Sequence, residues 1–166
     1  MRYLIFMGDQ SEHMPLGFLL NTVGRLVFEE TSRRMQNLDV EVFELGVLWL
    51  VDLYPGRPQA EYAKLQRRDQ STFGRYVDKL EAKGFLVRNA VLGDRRAYSL
   101  AVTASGKTLL KKGRMQVYAA QEAIVGTYDE RLAELTGFLT DVLNSANEDD
   151  SAQRKSARQE RIACDR

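Results

Sequence analysis

The sequence has little of the chemistry on which enzymes and metalloproteins depend. Its 166 residues include one cysteine, Cys164, and one histidine, His13. A single cysteine excludes a disulfide within the chain and fits a reducing compartment, and a lone histidine has no partner for a zinc site. Because no nucleophile and base can be paired, we expect neither an enzyme nor a bound metal or cofactor.

Long apolar runs are missing as well. A membrane-spanning helix needs about 20 consecutive apolar residues, and no segment approaches that length. The apolar stretch at residues 3–7 is too short for the core of a signal peptide. We therefore expect a soluble, cytoplasmic protein with a single domain over residues 1–145 and a polar C-terminal tail at residues 146–166.

Charge is nearly balanced over the whole chain, at +1, but it is unevenly distributed. The segment Arg57–Arg114 holds fourteen Lys and Arg against five Asp and Glu, a balance of +9, and the other residues sum to −8. Charged runs are often only solvated surface. A basic block of this size nevertheless favours DNA as a partner, because neutralised phosphates supply most non-specific affinity.

The basic block contains a helix pattern that begins at Asp69, an N-cap residue. One buried stripe follows at helical spacing: Phe73, Val77 and Leu80. Gly84 is typical of a helix C-terminus. Two short strands are predicted next, at residues 85–89 and 97–102, with a charged turn at Gly93-Asp94-Arg95-Arg96 between them. Thr103 then caps a new helix, so the order helix, hairpin, helix predicts a winged helix.

Two helices precede this pattern, and a third short one leads into it. Apolar residues repeat at threes and fours from Pro15, and Asp39 is expected to cap a central helix at Val42–Leu53. A short helix from Gln59 to about Gln66, with Tyr62 and Leu65 facing inward, forms a helix-turn-helix with the basic helix that follows it. The expected DNA-binding winged helix covers residues 42–106.

After the wing, a long helix is predicted from Thr103 to about Gly126, with these buried positions: Leu109, Leu110, Val117, Ala120 and Ile124. A break near Asp129 precedes a last helix with this apolar stripe: Leu132, Leu135, Phe138, Leu139, Val142 and Leu143. These surfaces exceed what the winged helix can cover. They indicate either a self-contained helical subdomain or, as we prefer, a homodimer built from residues 14–38 and 112–145.

The pattern resembles the MarR family of winged-helix transcriptional regulators. Asp94-Arg95-Arg96, followed by Val102-Thr103-Ala104-Ser105-Gly106, is similar to the family signature Asp-x-Arg, five residues, Leu-Thr-x-x-Gly. Asp69-Gln70-Ser71-Thr72 and the segment from Val77 to Gly84 are similar to its recognition helix. The resemblance covers residues 14–145. It implies a mainly α fold with a small β wing and terminal helices that dimerise.

The resemblance also implies DNA-contacting residues. Ser71, Thr72 and Arg75 would face the major groove, and Arg96 on the wing would reach the minor groove, oriented by Asp94. For Asp94 and Arg96 the alternative is a plain ion pair at the hairpin tip. The full expected set is Arg67, Arg68, Gln70, Ser71, Thr72, Arg75, Lys79, Asp94, Arg95 and Arg96.

One segment departs from the family pattern. The turn carries Gln66-Arg67-Arg68 where the family usually has Leu-Gly-Val. Two apolar anchors are therefore replaced, and two arginines are added that can contact phosphates. We expect either that the turn opens or that Leu65 shifts inward to fill the gap.

The resemblance further implies a small aromatic or phenolic acid as the signal that releases DNA. Candidate ligand contacts, which could equally be core positions, are Trp49, Tyr54, Met115 and Tyr118, with His13 or Arg25 for a carboxylate. We expect a repressor that binds an imperfect palindrome of double-stranded DNA as a homodimer. The alternatives are a winged helix used as a protein-interaction module and a redox-responsive regulator, although Cys164 lies at the wrong end for the thiol sensors of the family.

Overall fold

The computed structural model describes residues 14–91 and 94–146, and it describes residues 91 and 94–97 by their backbone only. In chain order the elements are α1 (Leu16–Arg34), α2 (Val42–Leu53), α3 (Gln59–Leu65), α4 (Gln70–Ala82), β1 (Leu86–Val91), β2 (Asp94–Val102), α5 (Ala104–Val125) and α6 at residues 130–146. They form two units, which divide between Gly126 and Thr127. The prediction of a mainly α fold with a small β wing is confirmed.

α2 occupies the centre of the first unit because it is apolar on most sides. Leu45, Val47, Leu48 and Val51 are almost completely buried. They pack α2 against α4, α5 and β2. Gly113 of α5 permits the close approach of that helix, since a Cβ there would lie 2.4 Å from Leu45 Cδ1. The sequence-based prediction of a central scaffold helix is therefore confirmed.

α4 begins and ends where the sequence predicts. Asp69 Oδ1 accepts a hydrogen bond from the Thr72 N–H at 2.7 Å, which satisfies one of the free donors of the first turn. After the helix, Gly84 has a φ of 72°, a left-handed conformation that glycine adopts without strain. The predicted inward stripe is fully buried: Phe73, Val77 and Leu80. One face of α4 is thus fixed to the core, and the other faces solvent.

The wing is a two-stranded antiparallel sheet in which Leu86 pairs with Val102. Both strands extend further toward the tip than predicted, and their register becomes irregular between Ala90 and Val91. The tip residues 92 and 93, which include the predicted turn residue Gly93, lie outside the described residues.

The base of the wing is joined tightly to α5. Thr103 Oγ1 accepts a hydrogen bond from the Gly106 N–H at 3.0 Å and donates one to Gly84 O at 2.8 Å. Gly106 lies directly against the chain that enters β1, because a Cβ there would be 2.2 Å from Phe85 O. This contact explains why a glycine is needed three residues after the capping threonine.

The N-cap of α2 is Glu41, and the prediction of Asp39 is wrong. Glu41 and Glu44 form a capping box, in which the Glu44 carboxylate accepts from the Glu41 N–H at 3.1 Å. The Asp39 carboxylate pairs instead with Lys83, the C-cap residue of α4, at 3.2 Å. Asp39 therefore pairs with Lys83, which is distant in sequence, and does not cap α2.

Leu65 and Ile124 were both predicted to be buried, and both predictions are wrong because the side chains are exposed. α3 ends at Leu65 and uses Tyr62 and Ala63 as its inward residues. The hydroxyl of Tyr62 also donates to Tyr54 O at 2.6 Å, which anchors α3 to the end of α2. Ile124 lies in the last turn of α5, beyond the buried core of that helix.

α1 and α6 each hold large apolar side chains in solvent. Leu16 and Phe18 of α1 are 58% and 54% exposed, and Phe138 and Leu143 of α6 are 55% and 54% exposed. Several large exposed apolar side chains on one helix are typical of an interaction site. None of the helices in the described part of the chain is both long enough and apolar enough to cross a membrane.

Candidate nucleic-acid interface

The first two turns of α4 carry a cluster of polar side chains on the solvent face. Gln70, Ser71 and Arg75 are exposed, and Thr72 is half-buried. The Ser71 hydroxyl donates to Asp69 Oδ1 at 2.6 Å, and Arg75 Nη2 donates to Thr72 Oγ1 at 3.1 Å. A guanidinium has five N–H donors, so this single bond leaves Arg75 able to bind a guanine edge with two hydrogen bonds.

Asp69 keeps its negative charge over an unusually wide pH range. The Ser71 hydroxyl, together with the N–H of Thr72, holds the pKa of Asp69 well below its usual range. Both donors stabilise the ionised form, and the positive end of the α4 dipole favours it further. The start of the helix is therefore well defined at neutral pH.

The turn between α3 and α4 positions the two added arginines differently. Arg67 is exposed and adopts a left-handed conformation, with a φ of 50°. The guanidinium of Arg68 lies over the ring of Phe43, 4.1 Å from its centroid. Gln66 occupies the space beside α2, with its Nε2 3.0 Å from where a Cβ on Gly46 would lie. A polar side chain thus fills the gap, and the predicted inward shift of the preceding leucine does not occur.

Phe43 also belongs to an aromatic column that connects three helices. Its ring lies 5.0 Å from the ring of Phe28 in α1 and 6.1 Å from the ring of Tyr76 in α4. A groove of ≈ 570 Å³ opens beside Phe28 and Phe43 at the junction of α1 and α2. The column gives α1 a continuous packed connection to the predicted recognition helix.

Lys79, predicted as a DNA contact, is turned toward α2 and its acids. Its Nζ lies 3.3 Å from Glu44 Oε1 and 3.5 Å from Glu41 Oε1. The hydrogen bond that Lys79 donates to the Glu44 carboxylate, together with the negative charge of Glu41, raises the pKa of Lys79. Lys83, one turn further along α4, approaches the other oxygen of Glu44 at 3.5 Å.

Arg88 is a structural partner of the interface that the sequence reasoning missed. From β1 it donates to Asp78 Oδ1 at 2.5 Å and to Glu81 Oε2, both on α4. The guanidinium thus joins the wing to α4, the predicted recognition helix. Asp78 and Glu81 lie three residues apart on α4, whereas Arg88 lies on β1, so only the packing of the wing against α4 brings the guanidinium to the two acids.

The predicted wing residues are placed by their backbone alone. Asp94, Arg95 and Arg96 lie at the start of β2, next to the tip, and their side chains lie outside the described part of the structure. Their assignment to the minor groove or the phosphates stays a prediction.

A second groove, of ≈ 420 Å³, gathers part of the predicted ligand-binding set. It is lined by Asp52, Lys107, Leu110, Lys111, Arg114, Met115 and Tyr118. Behind it, Trp49 packs edge-on against Tyr118, with 6.0 Å between ring centroids. The guanidinium of Arg114 lies over the Trp49 ring at 4.6 Å and pairs with Asp52 at 3.2 Å. The structure therefore brings together Trp49, Met115 and Tyr118, with basic side chains beside them.

The other predicted ligand contacts lie elsewhere. Arg25 is exposed on α1 and pairs with Glu29 at 3.9 Å. Tyr54 ends α2 and packs under the guanidinium of Arg57, 5.1 Å from its ring centroid, and His13 lies outside the described residues. Within residues 14–91 and 94–146, no three His, Cys, Asp or Glu side chains are grouped as a metal site requires.

Comparison with known proteins finds transcriptional regulators that are similar to this chain. No protein-family model matches the sequence. The HTH-type transcriptional repressor Rv2887 of Mycobacterium tuberculosis is 28% identical over 115 residues, which cover 69% of this chain and 83% of the relative. The crystal structure of that MarR family protein in complex with salicylic acid matches with a TM-score of 0.64 at 26% identity, covering 80% of this chain and 98% of the other. In sequence and in fold, this chain is similar to MarR family winged-helix proteins.

Two further structures support the MarR-like assignment. CouR from Rhodococcus jostii RHA1, bound to p-coumaroyl-CoA, has a TM-score of 0.70 and 27% identity, covering 81% of this chain and 96% of the other. A mutant MarR from E. coli complexed with operator DNA shares the fold, with a TM-score of 0.67 and 21% identity over 82% of this chain and 99% of the other. The predicted family resemblance and the predicted fold class are thus confirmed.

Proposed function

We propose that this MarR-like protein is a dimeric transcriptional repressor that reads an imperfect palindrome of double-stranded DNA through α4. The observation that carries the proposal is the anchoring of α4. Its apolar face is completely buried, while Gln70, Ser71, Thr72 and Arg75 are left on its other side. A rigidly held helix with polar residues near its N-terminus is the element that enters a major groove. The named repressor relative and the operator-bound MarR support the same function.

Contacts outside the major groove would fix the orientation of α4. The exposed Arg67 at the turn can bind a phosphate, and Arg68 can do so with the edge of a guanidinium whose face lies on Phe43. Arg95 and Arg96 at the wing would bind phosphates or enter the minor groove, with Asp94 orienting Arg96. Chromosomal DNA as the target also implies a cytoplasmic location.

Dimerisation is supported by the exposed apolar surface of the terminal helices. α1 and α6 both keep large apolar side chains in solvent, although each is long enough to bury a full stripe. A second copy of the chain can cover them, and a two-fold dimer presents two copies of α4 to two half-sites of a palindrome.

The groove beside Trp49 and Tyr118 is the proposed site of the signal. Its aromatic and thioether groups suit a flat ring, and Lys111 or Arg114 can hold a carboxylate in place of the predicted Arg25. Rv2887 is described in complex with salicylic acid, which is a ligand of this class. A ligand that prefers one spacing of the two recognition helices would shift the population away from the DNA-bound form. The aromatic column from Phe28 to Tyr76 provides a packed connection between α1 and α4.

The test of DNA binding starts with duplexes that the full-length protein enriches from a randomised pool. We expect an imperfect palindrome, bound with an affinity that falls steeply with salt. Arg75→Ala should reduce the preference over a shuffled duplex, whereas Arg96→Ala should weaken binding to both duplexes and lower the salt slope by about one. Enrichment of no sequence would overturn the proposal. A complex with a protein that survives charge reversal at Arg75 and Arg96 would favour the protein-interaction alternative.

The test of the ligand uses salicylate as a probe in a DNA-release titration. We expect release of the selected duplex by salicylate or a related aromatic acid, and a weaker response in Tyr118→Ala. Lys64→Gln removes a charge on α3, away from the groove, and serves as the control. An equal response in Tyr118→Ala and in the unmodified protein would exclude this groove as the ligand site.

A further inference from the structure

Glu44 is an almost fully buried carboxylate whose position in the molecule brings it to the recognition helix. Its side chain is 1% exposed and lies in the first turn of α2. A buried charge is costly unless it is paired and hydrogen-bonded. Glu44 meets this requirement with one hydrogen bond from the Glu41 N–H and with two lysines from α4, Lys79 and Lys83.

The two lysines bind Glu44 as a pair. They lie four residues apart, Lys79 in the last turn of α4 and Lys83 at its C-cap, so both project from the same side of that helix. Lys79 approaches Oε1 at 3.3 Å, and Lys83 approaches Oε2 at 3.5 Å. Lys83 also donates to Asp39 O at 2.9 Å. Each ammonium therefore has more than one oxygen partner on the α1–α2 connection or on α2 itself.

This arrangement changes the electrostatics of the recognition helix. Without Glu44, Lys79 would be a flexible cation one turn after Arg75, able to bind any phosphate within reach. Such contacts raise affinity for all sequences alike and carry no base information. With the ammonium paired, the charge that α4 offers to DNA is concentrated at Arg75, which is close to the polar cluster formed by Ser71 and Thr72.

We propose that Glu44 is a specificity-determining residue, which keeps Lys79 and Lys83 off the phosphates and sets the angle of α4 on α2. The inference rests on the proposed DNA-binding function, and it replaces the expectation that Lys79 contacts DNA directly. It makes Glu44 a positioning residue that never touches DNA. Its removal should therefore increase non-specific binding, the opposite of what loss of a DNA contact would do.

The first experiment compares Glu44→Gln with the unmodified protein on a selected duplex and on a shuffled duplex of equal composition. Glutamine can keep the hydrogen bond from the Glu41 N–H, but it releases the ammonium groups. We expect tighter binding to the shuffled duplex, a smaller preference for the selected one, and a salt slope steeper by about one to two per protomer, since each new phosphate contact contributes about 0.9. Weaker binding to both duplexes, with an unchanged salt slope, would overturn the inference.

The second experiment uses Lys79→Gln, which needs no change at Glu44. If Lys79 contacts DNA directly, this variant loses about one unit of salt slope; if Glu44 holds it, the slope is unchanged. The double variant Glu44→Gln with Lys79→Gln should lose at least half of the added non-specific affinity. Lys112→Gln on α5 is the matched charge control. Combined with Glu44→Gln, this substitution should remove none of the added non-specific affinity.

The outcomes separate this inference from the function on which it rests. If the unmodified protein prefers no duplex, both fall. If the unmodified protein prefers the selected duplex and Lys79→Gln lowers the salt slope, the repressor function stands and the inference is wrong. If Glu44→Gln does not fold, the slope of Lys79→Gln alone decides between the two arrangements.

Discussion

Replacement of Gly106 by alanine should destabilise the protein more than any exposed glycine-to-alanine change. The new Cβ would lie 2.2 Å from Phe85 O and 2.8 Å from Val102 Cγ1. Atoms in contact are normally about 3.5 Å apart, so the chain entering β1 must move by roughly 1 Å. Overpacking of this kind costs about 1–3 kcal/mol. Displacement of the Gly106 N–H from the Thr103 hydroxyl removes an N-cap worth about 1 kcal/mol.

Together these effects lower the free energy of unfolding by about 2–4 kcal/mol, or the melting temperature by roughly 5–15 °C for a chain of this size. The assay is urea or thermal unfolding followed by circular dichroism. Gly24→Ala makes the same chemical change on α1, where a Cβ meets nothing within 4 Å, and should stabilise the helix by about 0.5–1 kcal/mol. The reasoning is refuted if Gly106→Ala melts within about 2 °C of the unmodified protein.

Three further predictions concern the interface and the dimer. Arg88→Ala separates the wing from its two acids on α4, so affinity for the selected duplex should fall several-fold while the α-helical circular dichroism signal is retained; unchanged affinity would mean that the wing needs no such link. Asp69→Asn should be less stable than the unmodified protein at pH 7. The pKa of Asp69 is lower in the folded protein than in the unfolded chain, where it is about 3.9, so the ionised carboxylate stabilises the fold above that pH. This stabilisation is lost as the pH falls toward the pKa of the folded state. The difference in melting temperature between the two should therefore shrink by pH 3, and a difference that grows would contradict the assignment. Phe138→Asp should convert a dimer to a monomer in sedimentation analysis, whereas a monomeric unmodified protein would argue for the self-contained helical alternative.

Local signals in the sequence were sufficient for most of the fold. The cap at Asp69, the buried stripe of α4 and the glycine after it are all set by residues within one or two turns of each other. The same holds for Thr103 at the start of α5. Helical spacing and capping chemistry act over these short distances, so the elements and their ends could be predicted without knowledge of the tertiary structure.

The contacts that could not be predicted join residues that are remote in sequence. Asp39 is drawn away from the start of α2 by Lys83, which lies 44 residues later. The sequence offers Arg68 as a phosphate contact but does not show that the ring of Phe43 lies beneath its guanidinium. Lys79 is still 51% exposed, but α2 brings the buried Glu44 carboxylate within 3.3 Å of its ammonium. The spacing of apolar residues in the sequence cannot reveal such contacts, because they depend on how the helices pack together.

The candidate ligand site was also predicted only in part from the sequence. The family resemblance named Trp49, Tyr54, Met115 and Tyr118 as candidates, and the structure brings Trp49, Met115 and Tyr118 together. The basic residue that would bind the ligand carboxylate could not be predicted, since Arg25 and Arg114 are equally available in the sequence. The helix packing separates them, and it places Arg114 over Trp49 and beside the groove.

The measurement that tests the repressor account most directly is a hydroxyl-radical footprint of the full-length protein on its selected duplex. Two copies of α4 related by a two-fold axis predict two protected segments, symmetric about the centre of the palindrome and separated by about 10 base pairs or a multiple of that spacing. Arg75→Ala should blur both segments equally. One asymmetric segment, or uniform protection that does not depend on sequence, would contradict a dimer that reads two half-sites through α4.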